Sequence, residues 1–375
     1  MPLRAIARVN LSAIERNAGR LKADLAPGVE LCAVVKADGY GHGAVPAATA
    51  ALDGGAGSLA VATADEAAEL RAGGIEAPVL VMGAVSSEEL PVALAAGAQL
   101  VAWDQRFVDE VGRVAGAGGP VRLHVKLDSG MGRLGTRDAD AALAVAERIS
   151  EGGPALELAG AMTHFATADD DPEFMREQLE TFGAFVARLP ARSPRLVIHA
   201  ANSAATLRGA ETHFGMVRCG IAIYGCDPMN EDPAAHQLEP ALELRSYVAA
   251  VKPASRGDSA GYGRRFIAER QTWIATVPIG YGDGVRRALT NNCDVLIGGR
   301  RHPLVGTVSM DNITVDAGPE TGVTAGDEAT LIGRDGAERQ TAEDLAARIG
   351  TINYEILTGI SRRVPRVYHR DGRPA

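Results

Sequence analysis

"ELCAVVKADGYGHG", residues 30–43, ends an apolar run on a single lysine, Lys36, and follows it with Gly39, Gly41 and Gly43. A first strand that opens a doubly wound, dinucleotide-binding sheet runs instead into G-x-G-x-x-G, with an acidic residue about twenty positions on. The spacing here does not fit that fingerprint, so another parallel fold has to be considered. An isolated lysine after a strand ordinarily points into water. Whether Lys36 does so depends on what the strand belongs to.

Seven further apolar runs follow: "SLAVAT", "PVLVMG", "QLVAW", "VRLHVKLD", "LAGAMTHF", "LVIHAANS" and "VRCGIAIYG". Between most of them lie Ala, Glu and Leu-rich segments such as "ADEAAELRAG", "SSEELPVALAAG" and "DADAALAVAERISEG", which read as helices stopping at glycine. Eight strands alternating with helices predict an α/β fold with an N-terminal (β/α)8 TIM-type barrel. Ahead of it, "AIARVNL" reads as a short strand, and Ser12 with Glu15 as the capping box of a first helix. Past residue 240 the texture turns to β-branched residues and turns, with "GGRR" a hairpin tip and one late helix from Thr341 to Gly350. The expected domains are therefore a barrel over 1–235 and a mainly β domain over 236–375, joined in the polar "NEDPAAHQLEP" segment.

At 375 residues the chain exceeds what one core usually serves, which agrees with two domains. A net charge of −9 and the lack of a basic tract argue against a nucleic-acid partner. No uncharged run approaches the ~18 residues of a membrane span and no secretory leader is visible, so the reading is a cytoplasmic protein with no membrane partner. Cys32, Cys219, Cys226 and Cys293 show neither CxxC pairing nor zinc spacing, so they read as free thiols and no metal is expected.

In such a barrel chemistry gathers at the C-terminal ends of the strands, where Lys36 falls. A crowded lysine loses its proton more readily and can form a Schiff base with an aldehyde. In "VRLHVKLD" strict alternation turns Arg122, His124, Lys126 and Asp128 to one face, toward the lumen, and "SGMGRLG" brings Arg133 to the next loop. His164 ends the sixth barrel strand. Ser203, Arg218, Gly220 and Ile221 stand after the seventh and eighth, where these barrels usually hold phosphate. A lysine for an aldehyde and a cradle for a phosphate describe a pyridoxal 5'-phosphate site.

With these motifs in place the chain resembles the bacterial alanine racemases. "VVKADGYGHG", "LDSGMGRLG", "THFATAD", "HAANSAAT", "VRCGIAIYG", "GYG", "PIGYGDG", "VGTVSMDNITVD" and "ISRRVPRVY" follow in family order over nearly the whole chain. The resemblance implies a pyridoxal phosphate enzyme that interconverts L- and D-alanine and supplies D-alanine for peptidoglycan. It implies that Lys36 carries the cofactor and that Tyr40, Ser203, Gly220, Ile221 and Tyr354 hold its phosphate. Arg218 would face the pyridine nitrogen and His164 would lie against the ring. Arg133 and Met310 would contact the substrate, Tyr281 would stand near its entrance, and Lys126 matches a position carbamylated in some members.

Racemisation has to remove the α-proton and return one to the opposite face, so two bases are needed. The resemblance supplies Lys36 and Tyr262, from different chains of a head-to-tail homodimer. A tyrosine hydroxyl titrates near ~10 in water, so a base of this kind needs a cation nearby, for which Arg133 is the candidate. Other readings stand beside this one: a related small amino-acid racemase, a pyridoxal phosphate decarboxylase with a reactive β-domain cysteine, or a cofactor carrier using the barrel alone.

Overall fold

The computed structural model describes residues 4–115, 119–189, 196–320 and 322–375. Its first strand, β1 (Ala5–Asn10), precedes eight parallel strands: β2 (Glu30–Val34), β3 (Ser58–Val61), β4 (Val79–Val81), β5 (Gln99–Ala102), β6 (Val121–Lys126), β7 (Leu156–Met162), β8 (Val197–His199) and β9 (Met216–Cys219). β2 to β9 close on themselves as a barrel, β9 pairing back onto β2. All eight runs singled out in the sequence supply these strands. Leu31, Leu59, Leu100 and Leu123 lie fully buried in four of them, as strands covered on both faces require.

Helix boundaries follow the chemistry of their ends. The helix Ala64–Ala72 starts at Thr63 in a capping box closed by Glu66, and its Gly73 cap ends it. Asp138 and Asp171 cap Ala139–Glu151 and Pro172–Ala187 through their carboxylates. The first helix, Leu11–Ala23, begins earlier than expected and takes Ser12 into its first turn, so Ser12 is not the residue before it.

The chain divides into two compact units, one of them Ile14–Gly39 with Gly43–Ile223. The other contains Tyr40–His42 and Tyr224–Ala375, together with the start of the chain through Ala13. Two features of this division come from contacts distant in sequence. β1 is no part of the barrel: it pairs antiparallel with β10 (Leu242–Tyr247), and its alternating burial suits a sheet with one covered face. By its contacts the segment after Ile223 groups with the second unit, where buried Asp227 ties it in. Its amide donates to Glu343 Oε1 at 3.0 Å, its carbonyl accepts from Asn353 Nδ2 at 2.7 Å, and its carboxylate meets His236 Nδ1 at 2.7 Å.

The second unit is a large mixed sheet. It continues through β11 (Ala250–Ala254), β14 (Thr272–Val277), β15 (Asp294–Ile297), β16 (Arg300–Val305), β17 (Ile313–Gly318) and β18 (Glu328–Asp335), while β12 (Ser259–Ala260) and β13 (Phe266–Ile267) form a separate two-stranded ribbon. β19 (Glu338–Gln340), β20 (Arg366–Arg370) and β21 (Arg373–Pro374) complete it. Gly298 and Gly299 join β15 to β16 with φ of 61° and 74°, the left-handed pair of a two-residue hairpin. The late helix, Ala342–Ile349, has the Thr341–Asp344 capping box and a left-handed Gly350 stop. Among the described residues no helix is long and apolar enough to cross a membrane.

Candidate functional site

Lys36 stands two residues past β2 and is half-buried. Beyond it the backbone turns left-handed: φ is 52° at Ala37, 54° at Asp38, 60° at Gly39, 52° at Tyr40 and 82° at Gly41. For Ala37, Asp38 and Tyr40 this costs about 1–2 kcal/mol each, so other contacts must impose it. Glu66 accepts from Ala37 N at 2.7 Å with one carboxylate oxygen and from Ala62 N at 2.7 Å with the other. Asp38 accepts from Gly43 N through its carbonyl at 2.8 Å and from Ala44 N through its side chain at 2.9 Å. The lysine is thereby presented on a braced turn.

The barrel mouth is rich in cations. Burial and then the Arg133 guanidinium lower the Lys36 pKa, with Glu66 opposing. Lys126, buried at the end of β6, is pushed down to about 8 by burial, then by Arg218 and Arg133. Burial and Arg218 keep His164 well below its usual range, so its imidazole is neutral. Arg133 rides on a loop organised by Asp128, whose carboxylate accepts from Gly130 N at 3.1 Å and Gly132 N at 3.0 Å and pairs with Arg137 at 3.3 Å. Burial alone would raise the Asp128 pKa, but the Gly132 and Gly130 amides and Arg137 bring it down, so the loop's anchor stays ionised.

Arg218 is buried, and its protein contacts use the two terminal nitrogens. NH1 donates to His199 Nδ1 at 2.8 Å; NH2 donates to Thr163 O at 2.9 Å, Ala200 O at 3.0 Å and His164 Nδ1 at 3.2 Å. Among the described residues Nε donates to none of them. Burial lowers the guanidinium pKa only to about 10, so it remains a cation at neutral pH. Beside it, Ser203 Oγ accepts from Gly220 N at 3.0 Å and Ala222 N at 3.4 Å, and Ile221 opens the turn that follows β9. Of the groups named in the sequence, the Ser203 hydroxyl and the Gly220 amide come together, and the second amide is that of Ala222, which the sequence did not single out.

Within the second unit, Tyr40 and Tyr354 lie ring to ring at 6.0 Å, and Tyr40 also meets Tyr224 at 5.1 Å. Arg366 fixes the loop carrying Tyr40, its Nε donating to Gly41 O at 2.9 Å while its other nitrogens hold the carbonyls of Ile360, Ser361 and Val364. Tyr281 N donates to Ser309 O and Gly282 N to Met310 O, both at 2.9 Å. A Cβ at Gly280 would sit 2.3 Å from Ser309 O, so only glycine lets these loops close. Asp283 braces them, accepting from Gly280 N at 2.9 Å and pairing with Arg4 and Arg363. Thr307 Oγ1 donates to Tyr262 O at 2.7 Å. The outcome is three large side chains held outward, Tyr262 at 73% exposed, Met310 at 50% and Tyr281 at 43%.

Glu66, Gln99, His199, Asp283 and Arg366 were not singled out from the sequence as site residues. Glu66 left a trace, the T-x-x-E capping box, but its bond to Ala37 N lies outside that motif. Cys293, the residue a reactive β-domain thiol would require, is buried, and burial pushes it up to about 12, so it stays protonated and inert.

The family model described as "Alanine racemase, N-terminal domain" matches residues 9–228, and "Alanine racemase, C-terminal domain" matches 241–368. Alanine racemase of Thermobifida fusca is 43% identical over 371 residues, 97% of this chain and 98% of its own. That of Symbiobacterium thermophilum is 43% identical over 367 residues, 96% of each chain. Among solved structures, alanine racemase from Streptomyces lavendulae superposes with a TM-score of 0.92 at 38% identity, covering 98% of both chains. The Bacillus anthracis enzyme with bound L-Ala-P superposes at 0.91 with 39% identity, covering 100% of this chain and 97% of that one.

Proposed function

The chain belongs to the alanine racemase family, its activity is the interconversion of L- and D-alanine on a pyridoxal 5'-phosphate-binding fold, and from that premise we propose that Lys36 and Tyr262 are its two bases. The observation that carries the residue assignment is the barrel mouth itself. An amine with a lowered pKa, a cluster of one hydroxyl and two amides, and a guanidinium with an uncommitted Nε are the three groups that an aldehyde, a phosphate and a pyridine nitrogen call for. The residues present therefore fit the cofactor.

When bound, pyridoxal 5'-phosphate supplies an aldehyde for an amine and a ring that spreads the electron pair left on the substrate's α-carbon. Lys36 Nζ would hold the aldehyde and would exchange a proton at the α-carbon from one face. Tyr262 Oη does so from the other, supplied by the partner chain of a homodimer. Its exposure, with that of Tyr281 and Met310, is what a surface completed by a second protomer requires. Ser203, Gly220 and Ile221 would bind the phosphate, a role the family resemblance also gives to Tyr40 and Tyr354. His164 lies against the ring as a neutral imidazole, and Arg133 takes the substrate carboxylate. A chiral product assay of purified protein supplied with cofactor and L-alanine checks the activity directly.

Arg218 would hold the pyridine nitrogen of the bound cofactor and, as a guanidinium, would keep its own proton, so the ring it holds would be a weak electron sink. Arg218→Glu is expected to lower racemisation about a hundredfold and to raise pyruvate formed per racemisation event. An unchanged ratio would refute the assignment.

Lys126 is proposed to be carbamylated. With a pKa of about 8 a useful fraction of the amine is neutral at physiological pH, and it attacks carbon dioxide, releasing one proton to solvent. The resulting anion replaces a buried ammonium among Arg133 and Arg218 with a partner for them. Protein equilibrated with 13C-bicarbonate should show a carbamate carbon signal that Lys126→Ala lacks, and Lys126→Ala should regain activity with added short carboxylates. A wild-type spectrum without that signal counts against it.

A further inference from the structure

Four polar side chains cross the barrel interior. Gln99 begins β5, His124 lies in β6, His199 ends β8 and Arg218 lies in β9. Arg218 NH1 meets His199 Nδ1 at 2.8 Å, His199 Nε2 meets His124 Nδ1 at 2.8 Å, and His124 Nε2 meets Gln99 Oε1 at 2.7 Å. A guanidinium can only donate, so the direction of every bond is fixed from that end. His199 accepts on Nδ1 and carries its hydrogen on Nε2; His124 therefore accepts on Nδ1 and donates from Nε2 to the amide oxygen of Gln99.

We propose that Gln99, His124 and His199 form a one-way hydrogen-bond chain that holds Arg218 as a donor, with Gln99 as the end that refuses a proton. The proposal rests on the reading of Arg218 toward the pyridine nitrogen given above. Both imidazoles are buried, His199 completely. Burial and then cationic neighbours hold both neutral, His124 down to about 3 and His199 well below its usual range. The charged groups acting on the pair are Arg122, Lys126 and Arg218, all cations. The carboxylate of Glu157 stands 3.6 Å from Arg122. Space for the His124 ring comes from Gly160 on β7, where a Cβ would lie 2.2 Å from His124 Nδ1.

The identity of the outer residue matters because Gln99 lines a cavity at the N-terminal end of the strands with Arg71, Glu76 and Arg122, within reach of solvent. Suppose a second proton settled on His124. Its Nδ1 would then donate, His199 Nε2 would have to accept, and the hydrogen of His199 would move to Nδ1, facing a guanidinium N–H. One proton entering from outside would set donor against donor at Arg218. An amide oxygen accepts from His124 without storing or delivering that proton, which a carboxylic acid of the same length would do.

The test begins with cofactor-free protein carrying 15N-histidine, its signals assigned with His124→Gln and His199→Gln. Both rings should stay neutral with hydrogen on Nε2 from about pH 5 to about pH 9, the range in which an ordinary imidazole changes charge. A doubly protonated ring or an Nδ1–H form at either position overturns the chain. The second arm uses the loaded enzyme. Gln99→Glu should gain an acidic limb in kcat, a loss of about tenfold per pH unit below its midpoint, with KM changed less than about twofold and both ring signals reversing over the same range. Gln99→Leu, which adds no acid, should show no such limb. Reversal of the rings without the kinetic limb would mean that the chain does not act through Arg218, and the positioning role would fall. Arg218→Glu tests the reading of the ring nitrogen separately, so a failure there is told apart from a failure of the chain.

Discussion

Replacing Lys36 by alanine is expected to lower racemisation by at least about ten-thousandfold and to abolish covalent attachment of the cofactor. The effect is large because one amine does two things, holding the aldehyde and exchanging the α-proton. Lys126 is the rival, since its pKa is also lowered and it too belongs to the barrel. The two differ in setting: Lys126 is 4% exposed at the end of β6, whereas Lys36 stands half-buried on a turn that leaves the strand. Borohydride reduction of the loaded protein, followed by peptide mapping, should find the cofactor on Lys36 and should find none in Lys36→Ala. Label on Lys126 in the wild type would transfer the role.

Lys36→Ala and Tyr262→Phe homodimers should each be nearly inactive, yet their co-expression should restore activity. If the two bases at one site come from different chains, a mixed dimer has one site lacking both and one site with both intact. Random pairing makes half the dimers mixed, so roughly a quarter of wild-type activity returns. No recovery, with mixed dimers demonstrated by differently tagged chains, would place both bases in one chain. The outward-held Tyr262 motivates the experiment: it is 73% exposed, on a loop whose backbone Thr307 holds.

The barrel was legible because each of its strands is a short apolar run and many intervening helices carry their own start and stop residues. β1 was not. Its six residues look like any short strand, and only partners more than two hundred residues away, on β10 and β20, assign it to the other unit. The irregularity beside "VRLHVKLD" was not legible either, since Leu123 pairs with Leu158 but His124 with Gly160, which leaves Ala159 of β7 as an extra residue. Among site residues, those at strand ends could be read by position. Gln99 could not, because at the start of β5 it lies at the end of the barrel opposite to where chemistry is sought. Its importance comes from His124 on the neighbouring strand, a pairing that no local pattern encodes. Gly160 is a further case: its missing side chain matters only because the His124 ring occupies that volume.

The turn after Lys36 has a consequence of handedness. At φ 52° and ψ 51°, Ala37 has the backbone shape that an L-residue resists and that its mirror-image counterpart adopts as its own preferred helix. The enzyme thus keeps, next to Lys36, an L-alanine folded as D-alanine would fold. Within its own backbone the chain cannot exchange the one for the other. The strain at this position is therefore a direct measure of stereochemistry that the protein must absorb structurally, through Glu66 and Asp38, while it erases the same distinction in its substrate.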